Sequence, residues 1–460
     1  MSSAAARPRG DTVIRGATLI NEGRRSEQDV LIRRERIEQI GGAPRLRARA
    51  TEIEAGGKWL LPGLIDDQVH FREPGHVHKG DIASESAAAV AGGVTSFMDM
   101  PNVSPATVTR ERLAAKYAAA RGRAYGNYAF YLGATETNLA EIQALAGSET
   151  CGVKVFMGPS TGDLLVENPK ALERIFANCP VLIATHCEDR SRIEDQLTRA
   201  RKKYGETIPA AAHAEIRDAE CCYRSSSLAV SLARKHGAKL HVLHLTTAKE
   251  LELFDPQEDL GGSGSITAEV CVHHLWFEQG DYERLGHRIK CNPSIKSAAD
   301  RNALRQALGD GHISVIATDH APHTAGEKSG DYLSAPAGLP LVQHSLLMLL
   351  DLAQSGHLRV ERVVEAACHA PARLYGIADR GFLREGYFAD CVLVDPQGGQ
   401  QVDGGSLLYK CGWSPLEGHR FSARIEATFV NGAMVWANGE LASLPAGRPL
   451  ICNDPSRGDS

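Results

Sequence analysis

The chain of 460 residues is too long for one small core, which predicts one large domain accompanied by a smaller one. Hydrophobic residues make up 43% and charged residues 23%, the balance of an ordinary soluble globular protein. The formal net charge of −5 predicts no basic surface, so we do not expect nucleic acid as a partner.

The ends of the chain and its cysteines predict a cytoplasmic protein. The N-terminus MSSAAARPRGD lacks the apolar segment of a signal peptide, and no run approaches about 18 apolar residues, so we expect no membrane association. The 11 cysteines are odd in number and scattered, without a C-x-x-C pair, which predicts reduced thiols. The end segments MSSAAARPRG and NDPSRGDS are expected to be disordered.

Short strand patterns at both ends of the chain predict one small β domain. DTVIRGATLI, DVLIRRERIEQIGG and TEIEAGGKWLLPG come first, and ADCVLVDP and FSARIEATFVNGAMVWANGE follow near the other end. Asn431-Gly432, between two β-rich runs, predicts a hairpin. We therefore expect residues 1–61 and 376–460 to form a β-sandwich domain, with the middle of the chain inserted between them.

The middle of the chain, residues 62–375, alternates strand-like and helical patterns. The strand candidates are LIDDQVHF, VTSFMDMPN, AYGNYAFYLGAT, GVKVFMG, PVLIATH, KLHVLHL, ITAEVCVHH and ISVIATD. Eight such units over about 300 residues favour a (β/α)8 TIM-like barrel over a doubly wound sheet. Functional side chains of such a barrel lie at the carboxyl ends of its strands.

The first strand end, GLIDDQVHFREPG, carries unusual polar residues. Side chains two apart share a face of a strand, so Asp66, Gln68, His70 and Arg72 are expected to point the same way. A metal site here would favour His-x-His, and the sequence has Gln68-Val69-His70.

The other strand ends carry further polar side chains. They are Asn102 on the second strand, Lys154 on the fourth, His186 on the fifth, His244 on the sixth, His273-His274 on the seventh, and Asp319-His320 with His323 on the eighth. Convergence of histidines, a lysine and an aspartate predicts a site for metals that accept N and O ligands, zinc first.

Most other histidines are expected to be structural, because a lone histidine is more often packed than ligating. This group contains His76, His78, His236, His287, His357 and His369. His241 precedes His244 by three residues, so we expect it to face the other side of its strand and to be structural as well.

Lys154 lies between two valines, where a free ammonium would be costly to bury. Carbon dioxide captured by its amine would give a carbamate, an anionic two-oxygen ligand able to bridge two metals. Metal binding lowers the pKa of a bound water, and Asp319 beside it would serve as general base and then general acid.

These motifs resemble those of cyclic amidohydrolases, and most of all the long bacterial type of dihydroorotase. The resemblance covers residues 12 to 440. Its motifs are GLIDDQVHFREPG, MDMPN, GVKVFMGPSTG, ATHCED, AAHAEIRDAE, HVLHLT, ITAEVCVHHLWF, KCNPSIKS, IATDHAPHT and KCGWSPLEG. It implies reversible cyclisation of N-carbamoyl-L-aspartate to L-dihydroorotate in pyrimidine synthesis, by a homodimeric enzyme that holds one or two zinc ions.

The resemblance also assigns roles to residues. Metal ligands would be His70, carboxylated Lys154, His186, His244 and Asp319, with Gln68 in place of a ligand histidine. Substrate contacts would come from Arg72, Asn102 and His323 to the carboxylate, Asn292 to the ring, and the backbone of Ala337 and Gly338. A guanidinium fork suits bidentate capture of a carboxylate. The loop around SAPAGLP is either a lid or a surface connection.

The chain departs from the family at two positions. Many long-type dihydroorotases have aspartate where this chain has Lys154, which is closer to hydantoinases. Gln68 is a weaker, neutral ligand, so the second metal position is in question. Two alternatives stay open: a hydantoinase- or allantoinase-like enzyme acting on another cyclic amide, and a catalytically silent partner of a transcarbamoylase.

Overall fold

A computed structural model describes residues 10–44, 46, 50–159, 164–256 and 259–452. The two end segments expected to be disordered therefore fall outside the described residues, apart from Gly10, and so do Ser160, Thr161 and Gly162 of the GVKVFMGPSTG motif. Every helix in the described ranges is too short or too polar to cross a membrane.

Parallel strands in the middle of the chain form the predicted barrel. They are β6 (Leu64–Val69), β7 (Val94–Asp99), β8 (Asn127–Phe130), β9 (Leu132–Gly133), β10 (Val153–Phe156), β11 (Ile183–His186), β12 (Leu240–Val242), β13 (Ile266–Cys271) and β14 (Val315–Ala317). β6, β7 and β8 pair in that order, β9 to β14 pair in sequence, and a parallel bridge from Val69 to His320 joins the last strand to the first. β8 and β9 are the two parts of one interrupted strand, the third of the barrel. The nine strands therefore correspond to the eight predicted ones, and all eight are confirmed.

Helices follow the strands. They are α1 (Ile82–Ala91), α2 (Arg110–Ala120), α3 (Leu139–Gln143), α4 (Pro169–Asn178), α5 (Arg190–Tyr204), α6 (His213–Ile216), α7 (Ala219–His236), α8 (Val272–Trp276), α9 (Asp281–Leu285), α10 (Ala298–Asp310), α11 (Ala325–Lys328), α12 (Ser345–Gln354), α13 (Val360–Val364) and α14 (Ala370–Leu374). The longer ones begin at side-chain caps: Asp218 accepts a hydrogen bond from the backbone of Cys221 at the start of α7.

Both ends of the chain build one mixed sheet of nine strands. They are β1 (Asp11–Asn21), β2 (Arg24–Arg33), β3 (Arg36–Ile40), β4 (Thr51–Glu54), β5 (Trp59–Pro62), β15 (Cys391–Asp395), β18 (Arg424–Val430), β19 (Ala433–Ala437) and β20 (Glu440–Leu441). β16 (Gln400–Gln401) and β17 (Arg420–Phe421) form a separate pair. Side chains from both ends, among them Ile14, Leu60, Leu393 and Phe429, share one buried core.

The junction of the two ends lies at β5, which pairs with β1 on one side and with β15 on the other. The predicted hairpin is also present, because Asn431 and Gly432 connect β18 to β19 with positive φ angles of 51° and 74°. A β domain made from both termini is therefore confirmed, while its boundaries at residues 61 and 376 stay a prediction.

A buried polar network connects this sheet to the barrel. Asp390 accepts hydrogen bonds from Arg380, from Asn127 of β8 at 3.1 Å and from the backbone of Asn431 at 2.6 Å. Asn431 in turn donates to Asn127 at 2.8 Å. All eleven cysteines are free thiols, as the sequence predicts.

Candidate active site

A cleft with an empty volume of about 400 Å³ opens at the carboxyl ends of the barrel strands. Its lining is Gln68, His70, Arg72, Asn102, Lys154, Phe156, His186, His244, Asn292, Asp319, Ala321, Ala337 and Gly338. Every site residue predicted from the sequence is in this set except His323. The structure thus gathers side chains from most of the barrel strands at one place.

Three nitrogen side chains meet on one wall of the cleft. His186 Nδ1 lies 3.0 Å from His244 Nε2. The amine of Lys154, which is 1% exposed, has no hydrogen-bond partner, and neither has His244 Nδ1. Two ligand nitrogens about 3 Å apart beside an orphaned buried amine fit a zinc-type ion bound by imidazole nitrogens. Burial lowers the pKa of Lys154 to about 8, so roughly a tenth of this amine is neutral near pH 7, far more than for an ordinary lysine.

The opposite wall is formed by His70, Asp319 and Asn102. His70 Nδ1 donates to Asn102 Oδ1 at 2.8 Å, and its Nε2 faces Asp319 Oδ1 at 2.9 Å. Burial alone would raise the pKa of Asp319, but the hydrogen bond and charge of His70 outweigh it and hold that pKa below its usual value.

Gln68 is oriented as a hydrogen-bond donor. Its Nε2 donates to Asp319 Oδ1 at 3.2 Å, while its Oε1 lies 3.9 Å from Cys271 Sγ. The amide oxygen, the only atom of this side chain able to ligate a metal, thus faces a thiol. In this orientation Gln68 positions Asp319 rather than ligating a metal.

Arg72 lines the cleft although only 3% of it is exposed. Its Nε donates to Pro322 O at 3.0 Å. Within the described residues, no carboxylate lies within ion-pair distance of its guanidinium. Burial lowers the pKa of Arg72 to about 10, which still leaves it charged at neutral pH.

His323 was expected to contact substrate, but the structure places it behind Arg72. Nδ1 of its ring lies 3.1 Å from Lys79 Nζ, and Nε2 lies 3.1 Å from Arg72 Nη2 and 3.0 Å from Ala337 O. Both ring nitrogens therefore have protein partners. Burial lowers the pKa of His323 far below its usual value, so the ring is neutral and orders its neighbours.

The expectation that four side chains of the first strand share a face was wrong. Asp66 pairs with Phe97 of β7 but Val69 pairs with Asp99, so β6 holds an extra residue in a bulge. Asp66 consequently turns away from the cleft and accepts a hydrogen bond from Thr318 Oγ1 at 2.6 Å.

Three cleft residues adopt left-handed backbone conformations that are rare for non-glycine residues. The φ angles are 69° at Arg72, 43° at His244 and 46° at Asp319. Such strain is found where a site fixes side-chain direction. At each of these positions the chain leaves its strand and aims a functional side chain across the cleft.

The side chain of His241 also points in a direction that the two-residue alternation of the strand did not predict. The left-handed turn at His244 separates the two residues, and His241 is fully buried inside the barrel between Asp67 and Glu269. The strand-end residues His273, His274 and His320 are buried outside the cleft lining. His320 Nε2 lies 2.8 Å from Glu85 Oε2, which identifies a structural pair.

The loop after the eighth strand forms the rim. Gly338 has a φ of 133°, and a Cβ there would lie 2.6 Å from Ala321 O, so only glycine fits. Its amide donates to Lys290 O at 2.8 Å and its carbonyl accepts from Lys328 Nζ at 2.9 Å. Asn292 Oδ1, which is buried, has no hydrogen-bond partner.

Sequence reasoning missed Phe156 and Ala321 in the lining. Each lies two residues after a predicted ligand, Lys154 and Asp319 respectively. The period of two would have indicated Phe156, which continues the face of β10 that carries Lys154. Ala321 has no chemical signal of its own.

A model of the amidohydrolase family matches residues 59–435. The chain belongs to the amidohydrolase family. This amidohydrolase is 34% identical to a dihydroorotase from Halobacterium salinarum, over 95% of this chain and 99% of the relative. It is 32% identical to an allantoinase from Solibacter usitatus, over 96% of each.

Among solved structures, L-hydantoinase from Arthrobacter aurescens is similar to this amidohydrolase with a TM-score of 0.90 and 26% identity. The match covers 96% of this chain and 100% of that one. The dihydropyrimidinase from Brevibacillus agri, at 22% identity and a TM-score of 0.86, shares the fold. The family thus identifies a cyclic amidohydrolase, while its relatives differ in substrate.

Proposed function

We propose that this amidohydrolase is a dihydroorotase, which interconverts N-carbamoyl-L-aspartate and L-dihydroorotate. The observation that carries the proposal is Arg72, a buried guanidinium at the cleft without a carboxylate partner among the described residues. A charge buried in this way is stabilised by an anionic ligand. Dihydroorotate supplies a carboxylate, whereas allantoin and hydantoin are without one.

The residues of the cleft divide into holding and proton-transferring groups. His70, Lys154, His186, His244 and Asp319 would hold one zinc ion or two, and a bound ion would act as Lewis acid on the amide carbonyl. Asp319 has the lowered pKa of a group that is ionised and ready to accept a proton at neutral pH. His70, hydrogen-bonded to Asn102, fixes its orientation.

Lys154 would act as a carbamate. An amine attacks carbon dioxide only when neutral, and its pKa of about 8 meets that condition far better than an ordinary lysine does. The carbamate would supply the anionic oxygens that a neighbouring pair of imidazoles needs to bind a dication. The orphaned position of Nζ is consistent with a group completed by modification.

Allantoinase is the second candidate, because the Solibacter usitatus relative carries that name. The decisive experiment measures turnover of L-dihydroorotate, allantoin and hydantoin by the full chain supplied with zinc and bicarbonate. We expect turnover of dihydroorotate alone. Faster turnover of allantoin would refute the proposal, and zinc binding without turnover of any substrate would indicate a silent partner protein.

Arg72→Lys tests the carboxylate contact directly. Replacing the planar fork by a point charge should raise the KM for L-dihydroorotate about ten- to hundredfold, the loss expected for one or two charged hydrogen bonds. Zinc content should stay unchanged. The matched control is Arg190→Lys on the surface helix α5, and an unaltered KM in Arg72→Lys would argue against the assigned contact.

A further inference from the structure

A second group of ligand side chains lies inside the barrel, beside the cleft but outside its lining. Asp67 of β6, His241 of β12 and Glu269 of β13 are all fully buried. One ligand atom of each lies within 4.8 Å of the other two. His241 Nε2 is 3.2 Å from Asp67 Oδ2 and 3.9 Å from Glu269 Oε2. The proposed reaction uses none of the three.

The tautomer of His241 follows from its neighbours. Thr267 Oγ1 donates its single proton to Leu240 O at 3.2 Å, so it accepts a hydrogen bond from His241 Nδ1 at 2.7 Å. With the proton on Nδ1, Nε2 of a neutral ring presents a lone pair. That lone pair is directed between two carboxylates, which carry only lone pairs themselves.

Each of the three side chains also has an unpartnered atom. Asp67 Oδ1, His241 Nε2 and Glu269 Oε2 are each buried without a hydrogen-bond partner. The remaining atoms are satisfied: Asp67 Oδ2 accepts from Tyr375 at 2.8 Å and Glu269 Oε1 accepts from the backbone of His244 at 2.9 Å. Buried polar atoms are nearly always paired, so an unpartnered atom on each of three adjoining ligand side chains indicates a missing positive species.

The two buried carboxylates also favour a cation between them. Two carboxylates at full burial repel each other and lose their hydration, and a dication between them would remove both penalties. Ligands of one zinc ion bound at about 2.0–2.2 Å lie roughly 3 Å or more apart, as these atoms do.

We propose that Asp67, His241 and Glu269 bind a divalent cation of the zinc or manganese type, at a site separate from the catalytic cleft. Imidazole with two carboxylates suits ions of this class. Through Glu269 the ion fixes the left-handed backbone of His244, and through the bulge it fixes Gln68 next to Asp67. The site thus stiffens the floor of the cleft.

A lone proton is the competing occupant, since an imidazolium would also satisfy the carboxylates. Crystals of the full chain grown with zinc, measured at the zinc absorption edge, distinguish the two. We expect an anomalous peak between the three side chains, apart from any peak in the cleft. No peak there, with zinc present in the cleft, would establish the proton and overturn the proposal.

Metal counts give a second, independent measurement. A His70→Ala, His186→Ala background removes cleft ligands, and we expect it to retain one zinc equivalent per chain. Adding Asp67→Asn or Glu269→Gln should remove that equivalent, whereas the control Asp66→Asn should keep it. Loss of all zinc from the His70→Ala, His186→Ala variant would contradict the assignment. So would an unchanged zinc content in folded protein after either Asp67→Asn or Glu269→Gln is added. If the variants fail to fold, the diffraction result on the unaltered chain decides.

Discussion

Gln68 occupies the position at which the family pattern favours a histidine. Its amide nitrogen donates to Asp319 and its oxygen faces Cys271, so the side chain orients a neighbour. One wall of the cleft thereby has a single imidazole, His70, while the other has two. This asymmetry favours one firmly held ion in the cleft.

Gln68→His should add one zinc equivalent per chain, because imidazole nitrogen is a far better ligand than an amide. Elemental analysis after zinc reconstitution measures the change. Gln401→His, an exposed position on β16, is the matched control and should leave the count unaltered. An equal zinc content in Gln68→His and the unaltered chain would show that Gln68 does not limit metal number.

Carboxylation of Lys154 should depend on pH in a way set by its lowered pKa. Because only the neutral amine reacts, carbamate formation at constant dissolved carbon dioxide should rise with pH, reach half its maximum at about pH 8 and level off above it. An ordinary lysine would continue to rise beyond pH 10. The ¹³C NMR signal of the carbamate, formed from labelled bicarbonate, measures carboxylation of Lys154 at each pH, with Lys154→Ala as the control. A signal absent at every pH would disprove the modification.

The cleft residues were predictable because all strands of a barrel end at the same opening. A side chain at the end of a strand is therefore expected in the cleft, as is the case for His70, Lys154, His186, His244 and Asp319. The directions in which these side chains point were less predictable. A bulge in β6 and left-handed conformations at Arg72 and His244 cancel the two-residue alternation. Neither has a glycine or other local signal in the sequence, since tertiary contacts impose them.

At the scale of elements, the rim loop depends on Lys328 of α11. Its amine donates to the carbonyls of Lys290 at 3.1 Å, Pro336 at 2.8 Å and Gly338 at 2.9 Å. It is 5% exposed, and burial lowers its pKa to about 7. These bonds hold the loop against the cleft.

Lys328→Met should therefore release this loop. Methionine keeps the length but leaves the carbonyls of Pro336 and Gly338 without their donor, a loss of about 1–3 kcal/mol to loop order. Amide hydrogen exchange of residues 329–338 should accelerate, and the KM should rise more than kcat falls. Lys203→Met, on the surface end of α5, controls for loss of charge. Unchanged exchange would show that the loop is held by other contacts.

The order of elements followed from the alternation of strand and helix patterns, and the hairpin from Asn431-Gly432. The hydrogen-bond partners of His323 did not follow, because family position does not reveal that Lys79 and Ala337 lie at its two ring nitrogens; its substrate contact stays a prediction. The interruption between β8 and β9 was equally invisible in AYGNYAFYLGAT, which predicted one strand.

At the scale of the molecule, Asp390 joins the β domain to the barrel, because it pairs with Arg380 and accepts a hydrogen bond from Asn127 of β8. Asp390→Ala would leave a buried guanidinium uncompensated, which we expect to cost about 3–5 kcal/mol of unfolding free energy. Thermal and urea unfolding measure this loss. Glu194→Ala breaks the exposed pair with Arg190 and should cost less than about 1 kcal/mol. Equal losses in the two variants would show that burial adds nothing to the Arg380 pair.

The nine-stranded sheet also has a consequence for biosynthesis. Asn21 and Leu383 hydrogen-bond across 362 positions, and β5 borders β15 from the far end of the chain. During translation the N-terminal strands emerge long before their partners, with an apolar edge exposed while the barrel is still being made. The ribosome must therefore finish almost the whole chain before this edge is covered, and the nascent protein depends on chaperones, or on the speed of its own barrel, to protect it.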